Sequence, residues 1–133
     1  MPCVPAMINQ HQVCLEFAKA LPAQVQGLSN KTTIPDNYGL VFDTQALGKG
    51  KAVFFTMSNM KFPIDIIFVK DKKIQLIEYN AKPCKTTPDK CPVYGGFPVD
   101  MVLETKAGNA SKWGIQMFQK FNVTNNTSNG VKK

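Results

Sequence analysis

The chain has 133 residues, of which 44% are hydrophobic, and its 16 basic and 9 acidic residues give a formal net charge of +7. This length fits one domain with a single core, since domains usually hold about 100 to 150 residues. The lysines are spread from Lys19 to Lys133. This scatter argues against nucleic-acid binding, which needs a clustered basic face. No apolar window of about 18 uncharged residues is present, so no membrane span is expected.

The N-terminal residues 1–11 carry two prolines and little periodicity, so they are predicted to form an irregular arm. They lack a basic start followed by an apolar stretch of about 7 to 15 residues, which a standard secretion signal would have. The next segment, HQVCLEFA at 11–18, predicts a first strand in which Cys14 is a core or strand residue, because free cysteine behaves as a small hydrophobe. A short helix is predicted over 21–30, because Pro22 suits a first helical turn.

The middle of the sequence predicts a series of strands. Tyr38–Asp43 has the composition of a short buried strand. The run FFTMSNMKFPIDIIFV at 54–69 is interpreted as two strands that meet at a polar corner. Pro63 supports this break, because proline cannot donate a ladder hydrogen bond and has a fixed φ. Residues 70–73, KDKK, predict a hairpin turn into a further strand.

A long loop is predicted at 81–98, where four prolines and two glycines fall within eighteen residues. Cys84 and Cys91 lie in this loop, and three interpretations compete: a disulfide, half of a metal site, or two unrelated thiols. The remaining cysteines and the single histidine are a poor supply of zinc ligands, so no metal site is predicted. We expect the two sulfurs to lie within bonding reach, which would imply an oxidising compartment.

The C-terminal part alternates again between apolar and polar residues. Residues 99–103 predict a strand, AGNASKWG at 107–114 predicts one or two helical turns, and QMFQKFNV at 116–123 predicts the last strand. Residues 124–133 are predicted to form a polar tail.

The polar corner has a structural and a functional interpretation. In the first, Asn59 adopts a turn, and Asp65 accepts hydrogen bonds from N–H groups that the break leaves unpaired. In the second, Asn59, Asp65, Tyr94 and Glu104 are the polar lining of a ligand cleft. Nothing in their spacing brings the two carboxylates together. No catalytic residue and no cofactor is therefore predicted, and a non-enzymatic protein is favoured.

Four segments together carry a family resemblance: QGLS at 26–29, IPDNYGLVF at 34–42, FTMSNMKFPIDIIF at 55–68 and MVLETKAG at 101–108. They resemble the domain of unknown function 192 (DUF192), also called uncharacterised protein family 0127. The loop PCKTTPDKCPVYGG is similar to that of its cyanobacterial branch. The chain departs from the family pattern at Thr56, Ser58 and Met60, where tryptophan, lysine and threonine are usual.

The resemblance implies a single, β-rich α+β domain at 12–123, with a curved sheet or small barrel and one main helix. It implies no activity. Relatives often carry export leaders, and an exported location would let Cys84 and Cys91 pair. The core is expected to include Leu15, Phe17, Leu28, Leu40, Phe42, Phe54, Ile66, Phe68, Leu76 and Leu103.

Two classes of function fit these expectations. One is a small binding or accessory module that holds an unknown small molecule or protein partner at the polar corner. The other is a structural or interaction subunit of a larger cellular or viral assembly, such as a phage virion. An ordered N-terminal arm would favour the second class, because isolated chains seldom fix their termini.

Overall fold

The computed structural model describes residues 3–18, 28–29 and 31–125, and β-strands dominate it. The strands are β1 (Val4–Ile8), β2 (His11–Ala18), β3 (Tyr38–Phe42), β4 (Ala52–Phe55), β5 (Ile64–Lys70), β6 (Lys73–Ala81), β7 (Tyr94–Pro98), β8 (Met101–Lys106) and β9 (Val123–Asn125). Short helices lie at Thr44–Leu47 (α1) and Asn109–Lys112 (α2), with a 3-10 turn at Pro88–Lys90. The predicted β-rich α+β fold is confirmed. The predicted helix over 21–30 lies almost wholly outside the described residues, as does most of the tail.

Seven strands form one curled sheet in the order β6-β5-β8-β3-β2-β1-β9, and β4 pairs with β7 in a separate two-stranded sheet. Only β2 and β3 run parallel; the other pairs in these two sheets are antiparallel. β5, which lies between β6 and β8, is buried along nearly its whole length, and this explains its run of consecutive apolar residues.

Side chains alternate between the two faces of the large sheet, and each face builds its own core. On the face that we call the β4–β7 face, Phe42, Ile66, Phe68 and Val102 pack against residues of the small sheet. On the opposite face, the α2 face, residues such as Ile67 and Leu103 pack against Ala110, Trp113 and Ile115. A residue's position in its strand therefore decides which of two separate environments its side chain enters.

The segment 118–125 closes the curl across the α2 face. At one edge, the N–H of Phe118 donates to the carbonyl of Ile74 at 2.7 Å, and the N–H of Ile74 donates to Gln119 at 2.9 Å. At the other edge, β9 pairs with β1. The strand predicted at 116–123 is thus mostly a turn and a bridging segment, and regular pairing begins only at Val123.

The prediction of an irregular arm is wrong for Val4–Ile8, which forms β1. This strand pairs with β2 on one side and β9 on the other, and it buries Ala6 and Ile8. The same hairpin places Cys3 beside Cys14, with 5.4 Å between their Cα atoms, and the two form a disulfide. The interpretation of Cys14 as a free core residue is therefore wrong. The sequence signal was weak because β1 is short and contains a proline.

The core prediction is wrong for two of its ten residues, Phe54 and Phe17. Phe54 is 63% exposed, because its neighbours Val53 and Phe55 point inward and strand alternation sends Phe54 outward. Phe17 is 46% exposed and lies at an open groove on the α2 face. Leu76 is half-buried and packs against the core of the β4–β7 face.

Gly95 is required by the close approach of β7 to β4. A Cβ atom there would lie 2.5 Å from the Val53 carbonyl oxygen and 3.0 Å from the Phe68 ring, and its φ is +91°. Gly95→Ala is expected to lower the free energy of unfolding by about 3 kcal/mol, combining backbone strain with a clash that the strand pair cannot relieve. Gly50→Ala is the control, because Gly50 has a φ of +77° but no atom within 4 Å of its added Cβ. Equal losses in urea denaturation would show that the close approach is unimportant.

Candidate functional site

The polar corner lies between β4 and β5, as predicted. Its turn is formed by Asn59, whose φ is +64°, and by a hydrogen bond of 3.2 Å from the N–H of Met60 to the carbonyl of Met57. The N–H of Cys84 also donates to the Met57 carbonyl, at 3.0 Å. The corner is thereby held against the long loop that follows β6.

Asp65 is buried and accepts three backbone hydrogen bonds. Its carboxylate receives the N–H of Asn80 at 2.8 Å, of Gly108 at 3.0 Å and of Ala110 at 2.9 Å. The register of β5 with β6 shifts between Ile64 and Ile66, and near this irregularity the carboxylate accepts the Asn80 N–H. The prediction that Asp65 accepts backbone N–H groups is confirmed, but the expected donors were those of the corner itself or the Asn59 amide, and the three observed donors lie on β6 and at the start of α2.

Glu104 lies on the opposite face of the sheet from Asp65. In the pairing of β5 with β8, Asp65 is opposite Thr105 and Glu104 is opposite Ile66. Directly opposed residues share a face, so Asp65 belongs to the α2 face and Glu104 to the β4–β7 face. The structure therefore does not bring these two carboxylates together.

Glu104 lies at the base of a cleft with a volume of about 260 Å³, which we call the Glu104 cleft. The described residues that line it are Leu28, Ser29, Phe54, Phe55, Thr56, Ser58, Asn59, Met60, Pro88 and Glu104. Of the four predicted ligand-binding residues, Asn59 and Glu104 thus line the same cleft. Tyr94 is not among its lining residues; it pairs with Phe55 in the β4–β7 sheet.

The Glu104 carboxyl is unusual because it is buried without a partner. Glu104 is 8% exposed, and among the described residues no hydrogen bond or ion pair reaches its carboxyl. Burial disfavours the charged form and raises the pKa of Glu104 to about 8. At neutral pH the carboxyl is therefore mostly protonated, and it is able to donate one hydrogen bond.

A second acidic side chain lies in the same row of the sheet. Glu16 is opposite Leu40, and Leu40 is opposite Glu104. The Tyr38 hydroxyl donates a hydrogen bond of 2.5 Å to Glu16. Burial, this hydrogen bond and the charges of Glu16 and Glu104 raise the pKa of Tyr38 above its usual value. This pair could not be predicted from the sequence, because the parallel register of β2 and β3 is needed to bring Tyr38 and Glu16 together.

Two further clefts differ in character from the Glu104 cleft. One, of about 710 Å³, is lined by three lysines, Lys61, Lys82 and Lys85, and shares Asn59 and Met60 with the Glu104 cleft. No acidic residue is among its described lining residues. The other is a mostly apolar groove of about 550 Å³ on the α2 face, beneath the bridging segment.

The long loop is closed by a disulfide between Cys84 and Cys91, whose Cα atoms are 5.8 Å apart. This agrees with the prediction that the two cysteines lie within bonding reach. Within the described ranges, no group of three or more histidine, cysteine or acidic side chains is arranged to hold a metal ion. No helix among the described residues is long and apolar enough to cross a membrane.

Comparisons with known proteins identify relatives of this chain. One similar crystal structure is of a protein of unknown function from Novosphingobium aromaticivorans. Its sequence is 30% identical to this chain, the TM-score is 0.72, and the alignment covers 91% of this chain and 84% of the other. A second is the crystal structure of a proposed transcription regulator from Sinorhizobium meliloti. Its sequence is 25% identical to this chain, the TM-score is 0.73, and the alignment covers 91% of this chain and 92% of the other. No curated protein matches. The sequence profile of DUF192, described as an uncharacterized ACR, matches residues 4–123. The chain therefore belongs to the DUF192 family.

Proposed function

We propose that this protein is a non-enzymatic binding module that holds a small molecule in the Glu104 cleft. The observation that carries the proposal is the buried carboxyl of Glu104, which lies at the base of the cleft and lacks a partner among the described residues. Burying an ionisable group without a partner destabilises the folded state, so it lowers the free energy of unfolding. A ligand that pairs with Glu104 would recover part of that loss on binding.

The lining of the cleft supports the same proposal. Apolar side chains such as Leu28, Phe55 and Met60 form most of the wall, and Ser58 and Asn59 add a few polar groups. This combination is typical of small-molecule sites. A volume of about 260 Å³ holds a ligand of roughly ten non-hydrogen atoms, judged from about 30 Å³ for a liquid water molecule.

The alternative, a structural subunit of a larger assembly, receives less support. An ordered N-terminal arm was expected to favour it. However, β1 is ordered by contacts within this chain: its pairing with β2 and β9, and the Cys3–Cys14 disulfide. These contacts account for the ordered arm without a partner chain. The two disulfides also support the proposal that the protein works in an oxidising compartment.

A fragment screen observed through the methionine methyl groups tests the proposed site. With ¹³C-labelled methionine, fragments that bind in the cleft are expected to shift the Met60 signal and leave the signal of Met117, which is remote in sequence and partly exposed, unchanged. Because Met60 also lines the neighbouring lysine-lined cleft, the ring signals of Phe54, which lines the Glu104 cleft and not the other, are followed as well and are expected to shift with the same fragments. A diverse screen that never shifts Met60 or Phe54 selectively would contradict the proposal.

A further inference from the structure

We infer that the Glu104 cleft selects an organic cation: a protonated amine attached to a small apolar body. This inference rests on the proposed function and names the chemical class of the ligand. Three independent features of the cleft point to it: the sign of its charged groups, the nature of its walls and the state of the carboxyl at its base.

The first feature is that no basic residue is among the described residues that line the cleft, although the protein as a whole is basic. The chain has a net charge of +7, yet Glu104 is the sole ionisable side chain among the described residues that line the cleft. Lys61, Lys82 and Lys85 line the neighbouring cleft, which shares Asn59 and Met60 with the Glu104 cleft, and none of the three lines the Glu104 cleft itself. Glu16, in the same row of the sheet, adds a second acidic side chain to this face. A cation is thus the charged ligand that this region attracts.

The second feature is an aromatic and apolar wall. Phe54 lines the cleft although it is 63% exposed, and Phe55, Met60 and Pro88 continue the apolar surface. Exposed aromatic faces attract cations through the ring quadrupole, and they also pack against an apolar ligand body. The Ser58 hydroxyl in the same lining is an acceptor for N–H donors, while the Thr56 hydroxyl oxygen accepts the Ser58 backbone N–H at 3.5 Å.

The third feature is the proton on Glu104. Because burial raises the pKa of this carboxyl to about 8, the free protein carries a mostly neutral Glu104 at pH 7. A bound ammonium group favours the carboxylate, so the O–H bond of Glu104 breaks and its proton passes to the solvent. The ligand remains a cation throughout, and the complex then contains one carboxylate paired with one ammonium. Binding and proton release are therefore linked.

Benzylamine, benzyl alcohol and benzoate form a matched set of probes, because they share an aromatic body and differ in charge. Benzylamine is expected to shift the Met60 methyl signal and to bind more tightly as the pH rises, by about tenfold from pH 6 to pH 7. Calorimetry at pH 7 in two buffers of different ionisation enthalpy is expected to show release of about one proton per ligand. Benzyl alcohol is expected to bind more weakly and without proton release.

Variants of two glutamates complete the test. Glu104→Gln is expected to weaken benzylamine binding at pH 7 at least tenfold and to abolish proton release, since the variant has no ionisable group at the base of the cleft. Glu78→Gln is the matched control, because Glu78 lies in the same row of the sheet, opposite Ile66, but outside the described lining of the cleft, and this variant is expected to change benzylamine binding far less than Glu104→Gln does. Circular dichroism establishes that both variants are folded.

The outcomes separate this inference from the proposed function. If benzyl alcohol or benzoate shifts the ring signals of Phe54, which lines the Glu104 cleft alone, and benzylamine does not, the cation inference is wrong and the binding function stands. If benzylamine binds equally to the native protein and to Glu104→Gln, the inference is also wrong. If no probe and no fragment shifts Met60 or Phe54, both the inference and the proposed function are wrong.

Discussion

Replacement of Asp65 by alanine is expected to lower the free energy of unfolding by about 3 kcal/mol. The substitution leaves the N–H groups of Asn80, Gly108 and Ala110 without their acceptor, in a region where the side chain of Asp65 is 1% exposed. Leaving a buried donor unpaired costs about 1 to 3 kcal/mol, and water is expected to reach some of the three. The loss follows from the structural role of Asp65, which ties β6 and the turn before α2 to β5.

Urea denaturation measures this effect, with two variants for comparison. Asp89→Ala is the control, since Asp89 is exposed in the 3-10 turn and its replacement is expected to change the midpoint little. Asp65→Asn is expected to fall between native and Asp65→Ala, because one amide oxygen replaces two carboxylate oxygens as acceptors. An unchanged midpoint for Asp65→Ala would contradict the structural role and return Asp65 to the ligand-binding candidates.

Replacement of Glu104 by glutamine is expected to stabilise the protein at alkaline pH, by about 3 to 5 kcal/mol at pH 9. The folded state holds the Glu104 proton more tightly than the unfolded state, because burial raises the pKa from an ordinary value of 4.5 to about 8. Between these two pH values the folded state binds more protons, so the free energy of unfolding falls as the pH rises. Glutamine does not ionise, so the free energy of unfolding of Glu104→Gln does not undergo this fall as the pH rises.

The measurement is a series of urea denaturation curves for both proteins between pH 4 and pH 9. At each pH, the difference between the two free energies of unfolding isolates the contribution of Glu104, because the two proteins share all their other titrating groups. It is expected to be small near pH 4, to grow through the window from about pH 4.5 to pH 8 and to level off above it. A difference that stays constant across this range would show that Glu104 ionises as freely in the folded protein as in the unfolded chain.

The polar corner is the feature that the sequence predicted best. Pro63 and the alternation around it were enough to separate β4 from β5, and the missing ladder donors were enough to predict Asp65 as an acceptor of backbone N–H groups. The strand break is a local effect that depends on residues a few positions apart, whereas the identity of the Asp65 donors, which lie 15, 43 and 45 positions away, could not be predicted. The strand His11–Ala18 was predicted for the same reason, because its alternation is complete within eight residues.

The separation of Asp65 from Glu104 could not be predicted in this way. Both are acidic residues in apolar strands, and only the register of β5 against β8 shows that they enter opposite faces. A shift of one residue in that pairing would have placed them together. The burial of Glu104 likewise depends on the β4–β7 sheet and on Leu28, which are distant in sequence and cover it only in the folded protein.

The Cys3–Cys14 disulfide was missed for a related reason. Cys14 alternates with Val13 and Leu15 as a core residue would, and its partner lies in a segment that had no clear strand pattern. Once β1 pairs with β2, Val4 is opposite Leu15 and Pro5 is opposite Cys14. That register brings the sulfur of Cys3 within bonding distance of Cys14, so the disulfide follows from the hairpin rather than from cysteine spacing.

The two acidic residues illustrate how the fold divides stability from function in this account. Asp65 is fully engaged by backbone donors and holds three elements of the α2 face together. Glu104 is buried to a similar extent on the other face, yet no described residue pairs with its carboxyl. The first arrangement stabilises the protein by itself, and the second becomes favourable when a ligand supplies the missing partner.

The ionisation of Glu104 tests this account most directly, and ¹³C NMR of its side-chain carboxyl measures it. The signal is assigned by its absence in Glu104→Gln and is followed from pH 3 to pH 10 in the free protein. The account predicts a midpoint near pH 8, as expected for a carboxyl buried in the Glu104 cleft without a partner. A midpoint near 4.5, the ordinary value for glutamate, would contradict it, because the carboxyl would then be solvated or already paired.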